Sequence, residues 1–176
     1  MKLKAGPFLV IIDGPIGSGK TSASKILHSK LKRTALISLD RIKCLVSDYD
    51  NNHEDIDLAS DIGTAMTKEY LRQGINVIVE KAFTRTQYLK KFITPFQRSK
   101  ANILIYQLEA PLDIAIKRVK QRPISPDAKR KLTKKRIIQN HKNFMLYRYK
   151  KARVFDSTKS SPEEIAREMQ KDIKNI

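Results

Sequence analysis

Short apolar runs rich in branched residues alternate along this chain with longer stretches whose apolar positions recur at helical spacing. The first run, F-L-V-I-I-D from Phe8 to Asp13, is closed by Asp-Gly and reads as a strand buried on both faces. Thr21 to Leu31 follows, with Ala23, Ile26, Leu27 and Leu31 apolar and no proline or glycine, and this predicts a helix. T-A-L-I-S-L-D (Thr34 to Asp40) predicts a second strand that delivers Asp40 to its carboxyl end. Arg41 to Asn52 has no clean period and closes on D-Y-D-N-N, as a loop or substrate-covering segment does. From about Asp55 to Gln73 the positions Leu58, Ile62, Ala65, Met66 and Leu71 predict the buried stripe of a helix, with Gly74 as its C-terminal cap.

The same alternation continues to the end of the chain. I-N-V-I-V-E (Ile75 to Glu80) predicts a third strand, again ended by an acid. Thr86 is placed to cap a helix with the stripe Leu89, Phe92, Ile93 and Phe96, which Pro95 should kink or end. N-I-L-I-Y-Q-L (Asn102 to Leu108) predicts a fourth strand, and Pro111 opens a helix whose apolar face is Leu112, Ala115, Ile116 and Val119. Arg118 and Arg122, four apart, share a face of it. After Pro123 and Pro126, Asp127 to Lys151 reads as a basic helix, Val154 to Asp156 as a fifth strand, and Ser161-Pro162-Glu163-Glu164 as the capping box of a last helix through Ile165, Met169 and Ile173. Strands alternating with helices predict a three-layer α/β domain, a parallel sheet with helices on both faces.

Length and charge refine this picture. At 176 residues the expected organisation is one domain. No run of eighteen apolar residues occurs and M-K-L-K-A-G lacks the pattern of a cleavable signal, so a cytoplasmic protein is expected. Cys44 has no partner for an internal disulfide, and His28, His53 and His141 show no metal-ligand spacing, so all three read as ordinary surface or helix residues. The net charge of +18 is uneven: Lys117 to Arg153 holds fifteen Lys or Arg against the single acid Asp127. A solvated helix face normally mixes signs, so this segment points to an anionic partner, nucleic acid included, with Tyr147 and Tyr149 available for stacking on bases.

The candidate chemistry lies between the first strand and the first helix. G-P-I-G-S-G-K-T, comprising Gly14, Pro15, Ile16, Gly17, Ser18, Gly19, Lys20 and Thr21, fits the phosphate-loop pattern G-x-x-x-x-G-K-S/T in the required strand–loop–helix setting. Glycines bring the main chain close to a ligand, and the N–H groups up to Ser22 converge where the helix dipole favours an anion. Lys20 is expected on the β- and γ-phosphates and Thr21 on Mg²⁺. Ligands bind at the carboxyl edge of open parallel sheets, so Asp40, Arg41, Glu80 and Arg85 are the candidates to meet a second substrate.

With these motifs the chain resembles the P-loop kinase superfamily: nucleoside and nucleotide kinases, shikimate and gluconate kinases, chloramphenicol phosphotransferase, zeta toxins and polynucleotide kinases. Beside the phosphate loop, L-I-S-L-D-R, L-E-A-P-L-D-I-A-I-K-R-V-K-Q-R and F-D-S-T-K-S-S-P-E-E-I carry the likeness. It implies a five-stranded parallel sheet in the order 2-3-1-4-5, a small lid over about residues 120–132, and an ATP- and Mg²⁺-dependent phosphotransferase. It further implies that Lys20, Asp40 and Arg118 are catalytic, with Asp40 the general base or hydroxyl ligand, and that Arg118 and Arg122 close on the nucleotide's phosphates. The chain departs from many relatives in having Glu80-Lys81 without D-x-x-G, so either Asp40 or Glu80 is expected to hold Mg²⁺ through water. The leading acceptor is a small metabolite, nucleoside or nucleotide; the alternatives are the 5′-hydroxyl of RNA or DNA, or a nucleotide-dependent switch. An N-K-x-D motif for guanine is absent.

Overall fold

A run with no polar face belongs in the middle of a covered sheet, and β1 (Phe8–Asp13) is buried at all six positions. The computed structural model describes residues 6–50, 52–99, 101–122, 132–147 and 149–176. In it β1 pairs in parallel with β3 (Asn76–Lys81) on one side and β4 (Asn102–Glu109) on the other, with β2 (Thr34–Ser38) and β5 (Arg153–Asp156) at the edges. The order is β2-β3-β1-β4-β5, as the resemblance implies. The register sets Asp13 level with Lys81 and Gln107 at the carboxyl edge.

Side chains alternate across the sheet, so each strand feeds two cores. Phe8, Val10, Ile12, Ile78 and Leu108 meet Ala23 and Leu27 of α1 (Lys20–Ser29) and Ile165, Ala166, Met169 and Ile173 of α7 (Pro162–Lys174). Leu9, Ile11, Val77 and Val79 meet Leu39 and Ile42 of α2 (Leu39–Lys43), Ala59 of α3 (His53–Arg72), and Leu89, Phe92 and Ile93 of α4 (Thr86–Ile93). Burying each such Leu, Ile or Phe contributes roughly 1.5–3 kcal/mol before entropy is charged against it. The last helix begins as its sequence dictates: Ser161 Oγ accepts the Glu164 N–H, Glu164 Oε2 accepts the Ser161 N–H at 2.8 Å, and Pro162 stands at the start.

Four expectations are corrected. The second strand stops at Ser38, and Asp40 sits in the first turn of α2. Leu39 and Ile42, three apart, pack on α3 where Gly63 lacks a side chain: a Cβ there would run into Leu39. That contact favours a helical turn over continued extension. In α3 the buried face is Ala59, Gly63 and Thr67, whereas Leu58, Ile62 and Met66 are 44%, 39% and 38% exposed. Close helix packing selects small residues over large ones here. Thr86 is the first residue of α4, behind an extended Arg85, and caps nothing through its side chain; Pro95 lies in a 3₁₀ turn, Thr94–Phe96. The basic helix, expected over 127–151, is α6 (Lys134–Met145), preceded by α5 (Leu112–Gln121). Residues 123–131, the body of the expected lid, lie outside the described residues. No helix among the described residues is long and apolar enough to cross a membrane.

Candidate functional site

The phosphate loop joins the end of β1 to α1 and is wedged between two other elements. Gly14 has φ 149° and Gly17 φ 84°. A Cβ on Gly14 would collide with the Leu108 carbonyl, and one on Gly17 would come 2.7 Å from the Ala115 carbonyl of α5. Glycine is therefore required at both by space as well as by backbone angle. The Ser18 hydroxyl has no hydrogen-bond partner, alone among the buried side-chain polar atoms of the described residues.

Two polar attachments hold the loop. Asp13 is fully buried and its carboxylate accepts four hydrogen bonds: from the N–H of Gly14 (2.7 Å) and of Phe83 (2.8 Å), and from Gln107 Nε2 and the Tyr147 hydroxyl (2.9 Å each). Burial pushes its pKa above the ordinary value, against the pull of these donors. At the loop's tip, Asn140 Oδ1 accepts the Ile16 N–H at 2.8 Å, and His141 Nε2 lies 2.9 Å from the Ile16 carbonyl. A carbonyl only accepts, so Nε2 carries the hydrogen. Helix α6 thus grips both polar groups of one peptide residue in the loop. Asp13→Ala leaves four donors without their acceptor and should lower unfolding free energy by about 3–5 kcal/mol. Denaturant titration checks this, and a loss under about 1 kcal/mol would contradict the account.

Lys20 is half-buried and donates to the Pro15 carbonyl at 2.9 Å. Burial lowers its pKa, while Glu80, Asp13 and Asp40 oppose the shift. Glu80, buried on the α1 side of β3, lies 3.5 Å from Ser24 Oγ, which is 3.2 Å from the Thr21 carbonyl. Ser24, three residues after Thr21 in α1, thus brings the Glu80 carboxylate of β3 beside the start of that helix, and hydroxyl and carboxylate oxygens are the hard ligands Mg²⁺ takes. Among the described residues no cluster of three or more His, Cys, Asp or Glu forms a separate metal cage.

On the other face of β3 the chemistry differs. Asp40 Oδ1 pairs with Lys43 Nζ at 2.9 Å, and Lys81 stands nearby. Desolvation pushes the Asp40 carboxyl up, but Lys43, Lys81 and Lys20 more than reverse this, and its pKa falls to about 2. The side chain is 60% exposed, so the cations decide the direction. Lys81 is itself 9% exposed, and burial lowers its pKa. Ile16, Asp40, Lys43, Lys81, Arg85 and Arg136 are among the residues lining a cavity of about 310 Å³ that also reaches Asn140.

The sequence-derived candidates separate accordingly. Gly14 to Ser22, Glu80 and Asp40 converge on the phosphate loop, and Arg85 reaches the adjoining cavity, whereas Arg41 is exposed on α2 and lies outside the cavity wall. Arg118 Nη1 donates to Ser157 Oγ (2.8 Å) and Nη2 to the Ser157 carbonyl (2.7 Å), with Gly17 O 3.4 Å from Nη1. It therefore braces the loop against the segment after β5. Arg122 is beyond the end of α5 in extended backbone, so the shared helix face does not reach it, though its charge still acts on Lys20. His141 and Tyr147, read from sequence as a surface or helix residue and a stacking aromatic, are 5% and 4% exposed and serve the loop and the core. Asp13, Lys43, Lys81, Arg136 and Asn140 were not singled out. Only Asp13, adjacent to the loop, carried a local signal.

Residues 9–147 match the protein-family model described as AAA domain. No curated protein matches the sequence. Among solved structures the chain is similar to the APS kinase CysC of Mycobacterium tuberculosis in complex with AMPPNP and APS, with TM-score 0.71 and 13% identity over 96% of this chain and 98% of that one. It is similar to the Deinococcus radiodurans tunicamycin resistance protein, with TM-score 0.69 and 13% identity over 95% of each chain. In the Pnkp1/Rnl/Hen1 RNA repair complex the match has TM-score 0.69 and 16% identity, over 82% of this chain and 46% of that one. At these identities the likeness is one of fold.

Proposed function

The chain belongs to the AAA-domain family and has the fold of P-loop kinases, and from that premise we propose that it is an ATP-dependent phosphotransferase. Its acceptor is a hydroxyl or phosphate of a small metabolite, nucleoside or nucleotide. The observation that carries this reading is that Ile16 of the phosphate loop and Asp40 stand in the wall of one open cavity. A simple hydrolase or switch has no need of a second chamber beside its phosphates, whereas a kinase must seat an acceptor there.

The residues divide the work. Loop N–H groups and Lys20 bind the nucleotide's phosphates and stabilise charge on the transferring group, which a loose phosphoryl-transfer transition state chiefly demands. Mg²⁺ would be held by Thr21, with Glu80 through water, and would neutralise the β- and γ-oxygens. Arg118, braced on Ser157, positions the nucleotide side of the loop, and Arg122 adds charge near Lys20. Asp40 accepts the hydrogen bond of the acceptor hydroxyl and aligns it. A carboxyl with pKa about 2 is a weak proton acceptor, so alignment outweighs proton abstraction in its contribution.

This has a pH consequence. The folded pKa of Asp40 is depressed, so its ionised form and the stability tied to it persist above the ordinary carboxylate value and are lost only as pH falls toward about 2. Between about pH 5 and about pH 8 the kcat/KM profile should therefore show no acid limb from this group. An acid limb near about pH 6 that disappears in Asp40→Asn would contradict it.

The defining experiment is transfer of labelled γ-phosphate from ATP to a panel of nucleosides, nucleotides, sugars, small metabolites and 5′-hydroxyl oligonucleotides. One class should take the label and stimulate ATP consumption. Flat turnover with ATP still bound would favour the switch reading. A second reading, the 5′-hydroxyl of RNA or DNA, draws on the exposed Lys117, Lys120, Lys134, Lys135, Lys142, Lys150 and Lys151 and on the similarity to part of the RNA repair complex. It predicts oligonucleotide binding that weakens steeply with salt. Tyr147 adds no stacking surface to it, being buried on Asp13.

A further inference from the structure

Neighbouring residues of a strand point to opposite faces, and β3 ends on Glu80-Lys81. Glu80 goes to the α1 side, beside Lys20 and the phosphate loop, and Lys81 to the cavity that holds Asp40. Lys81 is 9% exposed and makes no hydrogen bond or ion pair with any described residue. Asp40 and Asp57 act on its charge without closing to ion-pair distance, so the ammonium keeps its donors for whatever enters the cavity.

The rest of the wall sharpens the point. Its two acids are already engaged, Asp40 with Lys43 at 2.9 Å and Asp57 with Lys91 at 3.9 Å. Arg85 and Arg136 line the same cavity, both exposed, and neither side chain has an acid partner among the described residues. Arg85 is also the N-cap of α4, which has no side-chain cap and no acid in its first turn, so its dipole adds to the positive field.

We infer that this cavity reads an anionic group on the acceptor, a phosphate, with Lys81 as the buried contact and Arg85 and Arg136 at its mouth. The inference rests on the kinase reading for its orientation: the nucleotide's own phosphates belong to the loop and Lys20, and Lys81 lies on the opposite side of β3. The cavity of about 310 Å³ suits a small phosphorylated molecule or the terminal nucleotide of a strand. These two sources share the same chemistry.

The test is calorimetric titration of inorganic phosphate into the full chain saturated with Mg²⁺ and a non-hydrolysable ATP analogue, so that the loop is filled. Phosphate should bind; Lys81→Gln should weaken it by about tenfold or more, Arg85→Gln by about threefold or more, and Lys90→Gln, an exposed α4 charge outside the cavity, by less than about twofold. Equal binding by wild type and Lys81→Gln, or no binding by the wild-type complex, would overturn the inference. Arg85 is exposed, so its variant keeps the test decisive should Lys81→Gln fail to fold. If the ATP analogue itself does not bind, the kinase reading fails, and the Lys81 comparison on the free protein still decides this inference. In turnover, ribose 5-phosphate should outperform ribose, and a nucleoside monophosphate its nucleoside, with KM rising in Lys81→Gln for the phosphorylated member only. Preference for the unphosphorylated members would overturn the inference. A 5′-hydroxyl oligonucleotide outperforming both, with the same Lys81 dependence, assigns the phosphate to a strand.

Discussion

Lys20→Ala should reduce phosphoryl transfer by about 10²–10³-fold, with ATP affinity falling as well. In the structure the Lys20 ammonium folds back on the Pro15 carbonyl at 2.9 Å, at the end of a loop whose glycines Gly14 and Gly17 are packed tightly on Leu108 and Ala115. Burial already lowers its pKa, and Glu80, Asp13 and Asp40 hold it charged. Removing it takes away the cation beside the phosphates while the Glu80 charge stays close by, so ground-state binding and transition-state stabilisation both suffer. Folding should survive, because Lys20 is half-buried at the start of α1 and alanine suits a helix. Single-turnover transfer and nucleotide titration on the same preparation check this. Unchanged rates in both would remove the loop from the chemistry.

The second large effect is expected from Asp40→Asn, with a different signature. The turnover number should fall by about 10²–10³-fold while nucleotide affinity stays within about twofold, since Asp40 lines the cavity beside the loop and makes no hydrogen bond to the loop itself. The amide keeps the shape but offers a neutral, weaker acceptor to the hydroxyl. It also releases Lys43 from its 2.9 Å ion pair, at a stability cost of about 1 kcal/mol or less because Asp40 is 60% exposed. A loss of nucleotide affinity that matched the loss of rate would assign Asp40 to the nucleotide instead.

Much of this molecule is legible in one dimension because its causes are local. β1 reads as central from six consecutive buried positions, and the capping box at Ser161 is a contact between residues three apart. The phosphate loop is likewise contiguous: its glycines, Lys20 and Thr21 are neighbours in sequence, and the pattern they form is readable without the fold. The carboxyl edge of the sheet could be located from these patterns, and with it Glu80 in β3, while Asp40 and Arg85 proved to stand on the segments that follow β2 and β3.

What the chain could not declare by itself depends on distant segments meeting. Leu39 continues an apolar run and reads as strand, yet Gly63, twenty-four residues on, lets it pack as a helical turn and carries Asp40 with it. The stripe on α3 was assigned to its large residues, because periodicity reports which positions share a face and not how closely a neighbour approaches. Asn140 and His141 gain their meaning from one residue, Ile16, 124 and 125 positions away, and Tyr147 from Asp13. The sequence therefore determined the sheet and the phosphate loop at the end of β1. Only the tertiary structure decided which cations surround the second cavity, because a charge in a basic segment acquires a direction only when strand alternation and helix packing aim it.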